Sequence, residues 1–239
     1  MTTESVSESV RQRVWYPFGV YPNLLLLSAQ IFGILIYPFT DSGVGRMAFS
    51  LVQLVVLFLA VAAVRPTPAL SWISMACGAP AAVLTVLTLI FPDSHGLLLA
   101  SDLTHAVFFL YLGYALIRYM FADRNVTADE MYATASTFTV LAWAFAHLYG
   151  VVQGIWGADQ FAATGEGDLE WMEMLFLSFT TMTGTGLSDI SPVGAHARSV
   201  VMLEQMAGMF YIGLVVARML SLTLVKFQSR DSDKEAAAE

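Results

Sequence analysis

Six runs of mostly apolar residues, each close to the length that crosses a bilayer, constrain this chain more than any other feature. They cover about Tyr21–Phe39, Met47–Val64, Leu70–Phe91, Leu97–Phe121, Met131–Trp156 and Val193–Phe227. A helix needs roughly 20 apolar residues to span the hydrocarbon core. The composition agrees. Hydrophobic residues make up 57% of the 239 positions and charged ones 13%, where a soluble domain carries about a quarter. The fold class expected is an all-α transmembrane protein with six spans.

Between the fifth and sixth runs lies Phe176 to Pro192, FLSFTTMTGTGLSDISP, which holds no charge from Thr180 to Ser188. A Gly/Thr-rich run at membrane depth cannot satisfy its own backbone as a helix does. Protein must shield it, or it must face a water-filled path. Its carbonyls and hydroxyls are then available to replace the water around a cation. The apolar residues before it suit a short re-entrant helix.

Basic residues set the orientation. With the N-terminus inside, Arg11, Arg13, Arg65, Arg118, Arg124, Arg218, Lys226, Arg230 and Lys234 are cytoplasmic, and only Arg46 and Arg198 lie outside. Both termini are therefore expected in the cytoplasm, in a cell (plasma or inner) membrane. The Gly157–Pro192 loop then faces the exterior, and the sequon Asn125-Val126-Thr127 falls on the side where no glycan is added. The N-terminal residues do not read as a removable signal peptide. Cys77 is the sole cysteine, so no intrachain disulfide forms. The expected organisation is a cytoplasmic N-terminus (1–20), a four-helix membrane bundle (21–121), a cytoplasmic linker (122–130), a pore domain (131–227) and a cytoplasmic tail (228–239).

Two spans flanking a re-entrant helix and a Thr/Gly loop resemble the pore module of the potassium channel superfamily. The family filter reads Thr-Val-Gly-Tyr-Gly-Asp. Without gaps, SFTTMT falls on Ser178 to Thr183, the filter on Gly184-Thr185-Gly186-Leu187-Ser188-Asp189, and Ile190-Ser191-Pro192 closes it. Gly184 stands where the family has threonine, Leu187 where it has tyrosine, and Ser188 where it has its second glycine. That last position is left-handed in the family, which would strain serine by about 1 kcal/mol or more. A shifted alignment puts Gly184-Thr185-Gly186 on Gly-Tyr-Gly but displaces SFTTMT or Asp189.

The resemblance implies a homotetramer in the lipid bilayer, with Thr183, Gly184, Thr185, Gly186, Leu187 and Ser188 lining one axial path for K+. Thr180, Asp189 and Glu204 would support that filter, and Gly208 falls where the family bends its inner helix. The expected function is a tetrameric, potassium-conducting cation channel. The alternatives are a weakly selective monovalent cation channel or a non-conducting, channel-like regulatory or sensor protein. A secondary transporter would call for an inverted repeat with two broken helices, and one broken segment is present.

Other residues are read one at a time. Glu170 and Glu173 suit the first turn of the short helix, where acids favour the dipole. Asp159, Glu166 and Asp168 read as a solvated loop or an acidic rim. Glu204 lies deep in the sixth span, where a carboxylate needs a partner, with Ser178 or Thr180 in reach. Asp102 and His105 are three apart on one helical face, a possible pH-sensing pair, while His147 reads as structural. Arg118 alone serves the fourth span, which excludes a strong voltage sensor. No nucleotide loop, His/Cys cluster or nucleophile elbow occurs, basic residues are too few for nucleic acid, and no enzyme and no cofactor beyond the permeant ion is expected.

Overall fold

The computed structural model describes residues 21–39, 43–64, 68–121, 128–163 and 167–236. It is built from seven α-helices: α1 Pro22–Ile36, α2 Gly43–Val64, α3 Pro68–Ile90, α4 His95–Met120, α5 Ala128–Trp156, α6 Trp171–Met182 and α7 Ala195–Ala236. A 3₁₀ turn extends α1 to Phe39. Two-residue strands, β1 Phe161–Ala162 and β2 Ser191–Pro192, pair antiparallel. Residues 122–127, most of the expected linker, lie outside the described residues, and α5 begins at Ala128. The linker's last three residues are thus the first turn of a helix.

Among the described residues, five helical stretches are long and apolar enough to cross a membrane: Pro22–Phe39, Trp72–Ile90, His95–Met120, Asp129–Trp156 and Ala195–Arg218. α2 contributes a shorter apolar stretch, Ser50–Ala63. The last helix differs from the expected Val193–Phe227. It starts at Ala195 and runs unbroken to Ala236, beyond the apolar part, because nothing between Phe227 and Ala236 is a proline or glycine that would stop it. α6, at twelve residues, is about 18 Å long and too short to cross.

α5 is the hub. It packs on α1, α4, α6 and α7, while α1 to α4 pack consecutively. Its membrane-length stretch is 67% buried within the chain, against 22% for that of α7. The α4–α5 seam is antiparallel and close. A Cβ on Gly113 would meet Leu141 at 2.7 Å, one on Gly150 would meet Asp102 at 2.4 Å, and one on Gly154 would meet Leu99 at 3.1 Å. Lipid is as apolar as leucine, so helices in a membrane associate through such close contacts and through polar links. The pair Gly150 and Gly154, four apart, was a legible signal for this seam. Phe108, Phe109, Leu112 and Trp143 fill the buried core beside it.

Candidate functional site

α6 is positioned from both ends. Glu170 is its N-cap, and the Glu173 carboxylate accepts from the Glu170 N–H at 2.7 Å, half of a capping box. Both acids stand where the helix dipole favours them. The Tyr37 hydroxyl donates to Glu170 Oε2 at 2.8 Å, fastening the end of α1 to the start of α6. Gln153 of α5 brackets Leu169, its Oε1 accepting from the Leu169 N–H (2.8 Å) and its Nε2 donating to the Leu169 carbonyl (3.2 Å). Trp171 packs edge-on against Trp143, with ring centroids 5.1 Å apart.

The chain leaves α6 at Thr183 and turns back over the helix end. The N–H groups of Thr183, Gly184 and Gly186 donate to the carbonyls of Phe179, Thr181 and Thr180, each at 3.1 Å. The hydroxyls of Thr183 and Thr185 donate to Phe179 (2.7 Å) and Thr180 (3.3 Å). The last carbonyls of a helix need partners, and here the segment's own donors supply them. Its acceptors are left over. Among the described residues, no donor reaches the carbonyls of Thr183, Gly184, Thr185 or Leu187, whereas the Gly186 carbonyl accepts from the Ser188 N–H at 3.0 Å. Thr183 to Leu187 are exposed in the single chain.

Gly184 (φ 72°) and Gly186 (φ 64°) are left-handed, two residues apart. A Cβ on either would meet nothing within 4 Å, so backbone conformation, not space, requires glycine there. Among the described residues no non-glycine has positive φ. The strain expected at Ser188 is therefore absent, and the left-handed pair sits at 184 and 186, the spacing of the shifted alignment. The Ser188 hydroxyl instead accepts from the Ile190 N–H at 3.1 Å. Beyond an exposed Asp189, the chain is anchored by the β1–β2 pair and by the Gln160 carbonyl, which accepts from the N–H groups of Val193 and Gly194 (2.9 and 3.0 Å). His196 stacks on Trp156, with centroids 3.9 Å apart, joining the adjacent ends of α5 and α7.

Behind the segment lies Glu204, fully buried. Its two oxygens accept from the hydroxyls of Ser178 in α6 and Tyr149 in α5. Ser178 was within the sequence expectation, but Thr180 is not a partner. Its hydroxyl is turned to the Leu177 carbonyl at 2.9 Å, and it supports the segment through its own carbonyl instead. Tyr149 is not legible from sequence, because a tyrosine in an apolar helix carries no signal of its own. A Cβ on Gly208 would lie 2.3 Å from the Met182 carbonyl. The residues 204 and 208 of α7 thus meet 178 and 182 of α6, one turn apart on each helix. α7 is unbroken through Gly208.

The expected Asp102–His105 pair does not form. Asp102 is 2.9 Å from His147 Nδ1, across the α4–α5 seam. The Nδ1 of His105 is 2.8 Å from the Ser101 carbonyl and its Nε2 is 3.1 Å from the Thr85 hydroxyl. The two imidazoles stack at 4.8 Å. Residues three apart share a face of their own helix, but the neighbouring helix decides which of them it meets. At the other end of α5, Glu130 accepts from Arg218 of α7 at 3.1 Å, both side chains nearly buried. Arg218 also lies 4.9 Å above the Phe121 ring. Asp129 accepts from Asn23 (2.7 Å) and Tyr119 (3.0 Å). Of the acidic loop residues, Glu166 lies outside the described residues. Asp168, Glu170 and Glu173 line a cleft of about 350 Å³ with Tyr37.

Residues 106–224, from the middle of α4 into α7, match a family described as "Ion channel". No curated protein and no solved structure matches the chain. The family match supports an ion channel family, and together with the apolar helices it makes this an all-α, multi-pass membrane protein.

Proposed function

We propose that this protein is a homotetrameric cation channel that conducts potassium, with ions held by the backbone carbonyls of the Thr183–Ser188 segment. α6 is then a re-entrant pore helix, α5 the outer helix and α7 the inner helix of a six-span subunit with both termini in the cytoplasm. The observation that carries the reading is the segregation of donors from acceptors. The segment's N–H and hydroxyl groups fold back on α6, while the carbonyls of Thr183, Gly184, Thr185 and Leu187 have no donor among the described residues. A row of free carbonyl oxygens on exposed backbone is the chemistry that replaces a cation's hydration shell.

One loop cannot surround an ion, so four copies would close around an axis. The apolar side of α7, with Met209 and Phe210 about 70% exposed, is then covered by neighbouring copies and lipid. Thr180 and Glu204 support the filter from behind, and Asp189 stands at its exit. The acidic cleft of Asp168, Glu170 and Glu173 raises the local cation concentration at the mouth.

Uptake of rubidium into proteoliposomes, competed by excess potassium or sodium, tests this reading. Potassium competing well and sodium poorly is expected, and no uptake by an intact tetramer would sink it. Equal competition points to the weakly selective alternative. One observation favours a non-conducting, channel-like protein as a second reading: the Gly186 carbonyl is already occupied by the Ser188 N–H.

A further inference from the structure

We infer that Tyr149 is the positioning residue for the Thr183–Ser188 filter, because it holds the segment at both of its ends. This deepens the channel reading and rests on it for its functional consequence. Tyr149 is fully buried in α5. Its hydroxyl donates to Glu204, whose other oxygen accepts from Ser178, five residues before the filter begins. Its ring packs edge-on against Phe161, with centroids 5.6 Å apart and an interplanar angle of 76°. Phe161 pairs with Pro192 in the β1–β2 ladder, three residues past Asp189. One side chain on the most deeply buried helix is therefore linked to the upstream anchor through a carboxylate and to the downstream anchor through an aromatic contact.

The two links have different strengths for physical reasons. The upstream one is polar and buried, and an unpartnered carboxylate oxygen there is costly. The downstream one is dispersion and ring geometry, which tolerates small shifts. Glu204 is also part of the paired contact in which Gly208 abuts the Met182 carbonyl, so a shift of α7 moves α6 against Tyr149. The hydroxyl of Tyr149 then sets how far the segment follows.

Tyr149→Phe removes the hydroxyl and leaves the ring on Phe161, while Phe161→Leu disturbs the ring contact and leaves the hydroxyl. The full chain in nanodiscs is the sample, and amide hydrogen exchange resolved by peptide is the readout. Tyr149→Phe is expected to raise exchange across 183–190 about tenfold, the size of one net intramolecular hydrogen bond, with α1–α4 peptides unchanged. Phe161→Leu is expected to raise exchange at 190–193 first. Tyr149→Phe and Ser178→Ala should be non-additive, since both hydroxyls meet Glu204, that of Ser178 lying also 2.8 Å from the Ala142 carbonyl. In flux assays the discrimination of potassium over sodium should fall in Tyr149→Phe.

Exchange at 183–190 within twofold of wild type in Tyr149→Phe overturns the inference, as does strict additivity with Ser178→Ala. A localised rise in exchange in a protein that conducts nothing keeps the positioning role and removes the channel reading. Normal conduction and selectivity with unchanged exchange does the reverse.

Discussion

The α1–α4 bundle and the α5–α6–α7 unit both contain helices apolar enough to cross a membrane but are fastened differently. Within the bundle, neighbours pack in sequence through small residues and aromatic rings, and Thr85–His105 joins α3 to α4. In the unit, α7 is held by Glu204 to both other helices, by the Tyr211 hydroxyl on the Thr134 carbonyl (2.5 Å), and by the Arg218–Glu130 ion pair. Among the described residues, the seam between the two regions is joined by Asp102–His147, by Asn23 and Tyr119 donating to Asp129, and by Tyr37 donating to Glu170. Where water is absent, apolar burial does not distinguish one helix arrangement from another, whereas directional links do. Among the described residues, the unit has the links that fix one short segment in place, and the bundle has fewer directional links between its own helices.

If that contrast is right, the largest loss should come from the ion pair at the end of the unit. Arg218→Met takes the guanidinium from Glu130 and from the Phe121 ring, and breaking a nearly buried pair costs about 3–5 kcal/mol. Thermal denaturation of the detergent-solubilised protein, followed by size-exclusion chromatography, measures it. Arg218→Met combined with Glu130→Gln should recover much of the loss, because no lone charge remains. Next comes Gly208→Val. Its Cβ would lie 2.3 Å from the Met182 carbonyl, and relieving that overlap costs about 3 kcal/mol. Gly213→Ala is the control, since a Cβ there meets nothing within 4 Å, and the same melting assay should show no loss.

These two glycines mark how far the sequence can be read. The long apolar helices, the short helix with Glu170 and Glu173 at its start, and the need of Glu204 for a hydroxyl partner were legible, because length, dipole and the demand of a buried carboxylate are local properties. Gly208 and Gly213 look alike in the sequence, and what separates them is the Met182 carbonyl, which belongs to another helix. His147 was legible only as a lone histidine for the same reason, as Asp102 reaches it across the seam from forty-five residues away. The left-handed pair at Gly184 and Gly186 was hidden by the ungapped alignment, which assigned that backbone to Ser188. Composition gives which residues need partners, and packing gives who the partners are.

The seam itself is tested by Asp102→Ala. It removes the acceptor that faces His147 Nδ1 at 2.9 Å, and a hydrogen bond to a charged group is worth about 2 kcal/mol. Limited proteolysis in nanodiscs is the measurement. Cleavage between the regions should speed up while the β1–β2 pair stays protected. Equal loosening on both sides would mean that Asp102–His147 holds the unit together internally and that the seam was drawn in the wrong place.

The smallest effect is expected inside the bundle. Thr85→Val keeps the shape of the side chain and removes the hydroxyl 3.1 Å from His105 Nε2. The same hydroxyl lies 2.9 Å from the Ala81 carbonyl one turn earlier in α3, so in the unfolded, membrane-inserted helix it keeps a partner. Hydrogen bonds between membrane helices average about 0.6 kcal/mol for that reason. His105 also keeps its Nδ1 contact with the Ser101 carbonyl. The melting temperature of Thr85→Val should therefore stay close to that of the wild type, well above that of Gly208→Val. A loss matching Gly208→Val would show that the bundle depends on directional links as much as the unit does, and the contrast between the two regions would then have to be drawn from the Thr183–Ser188 segment alone.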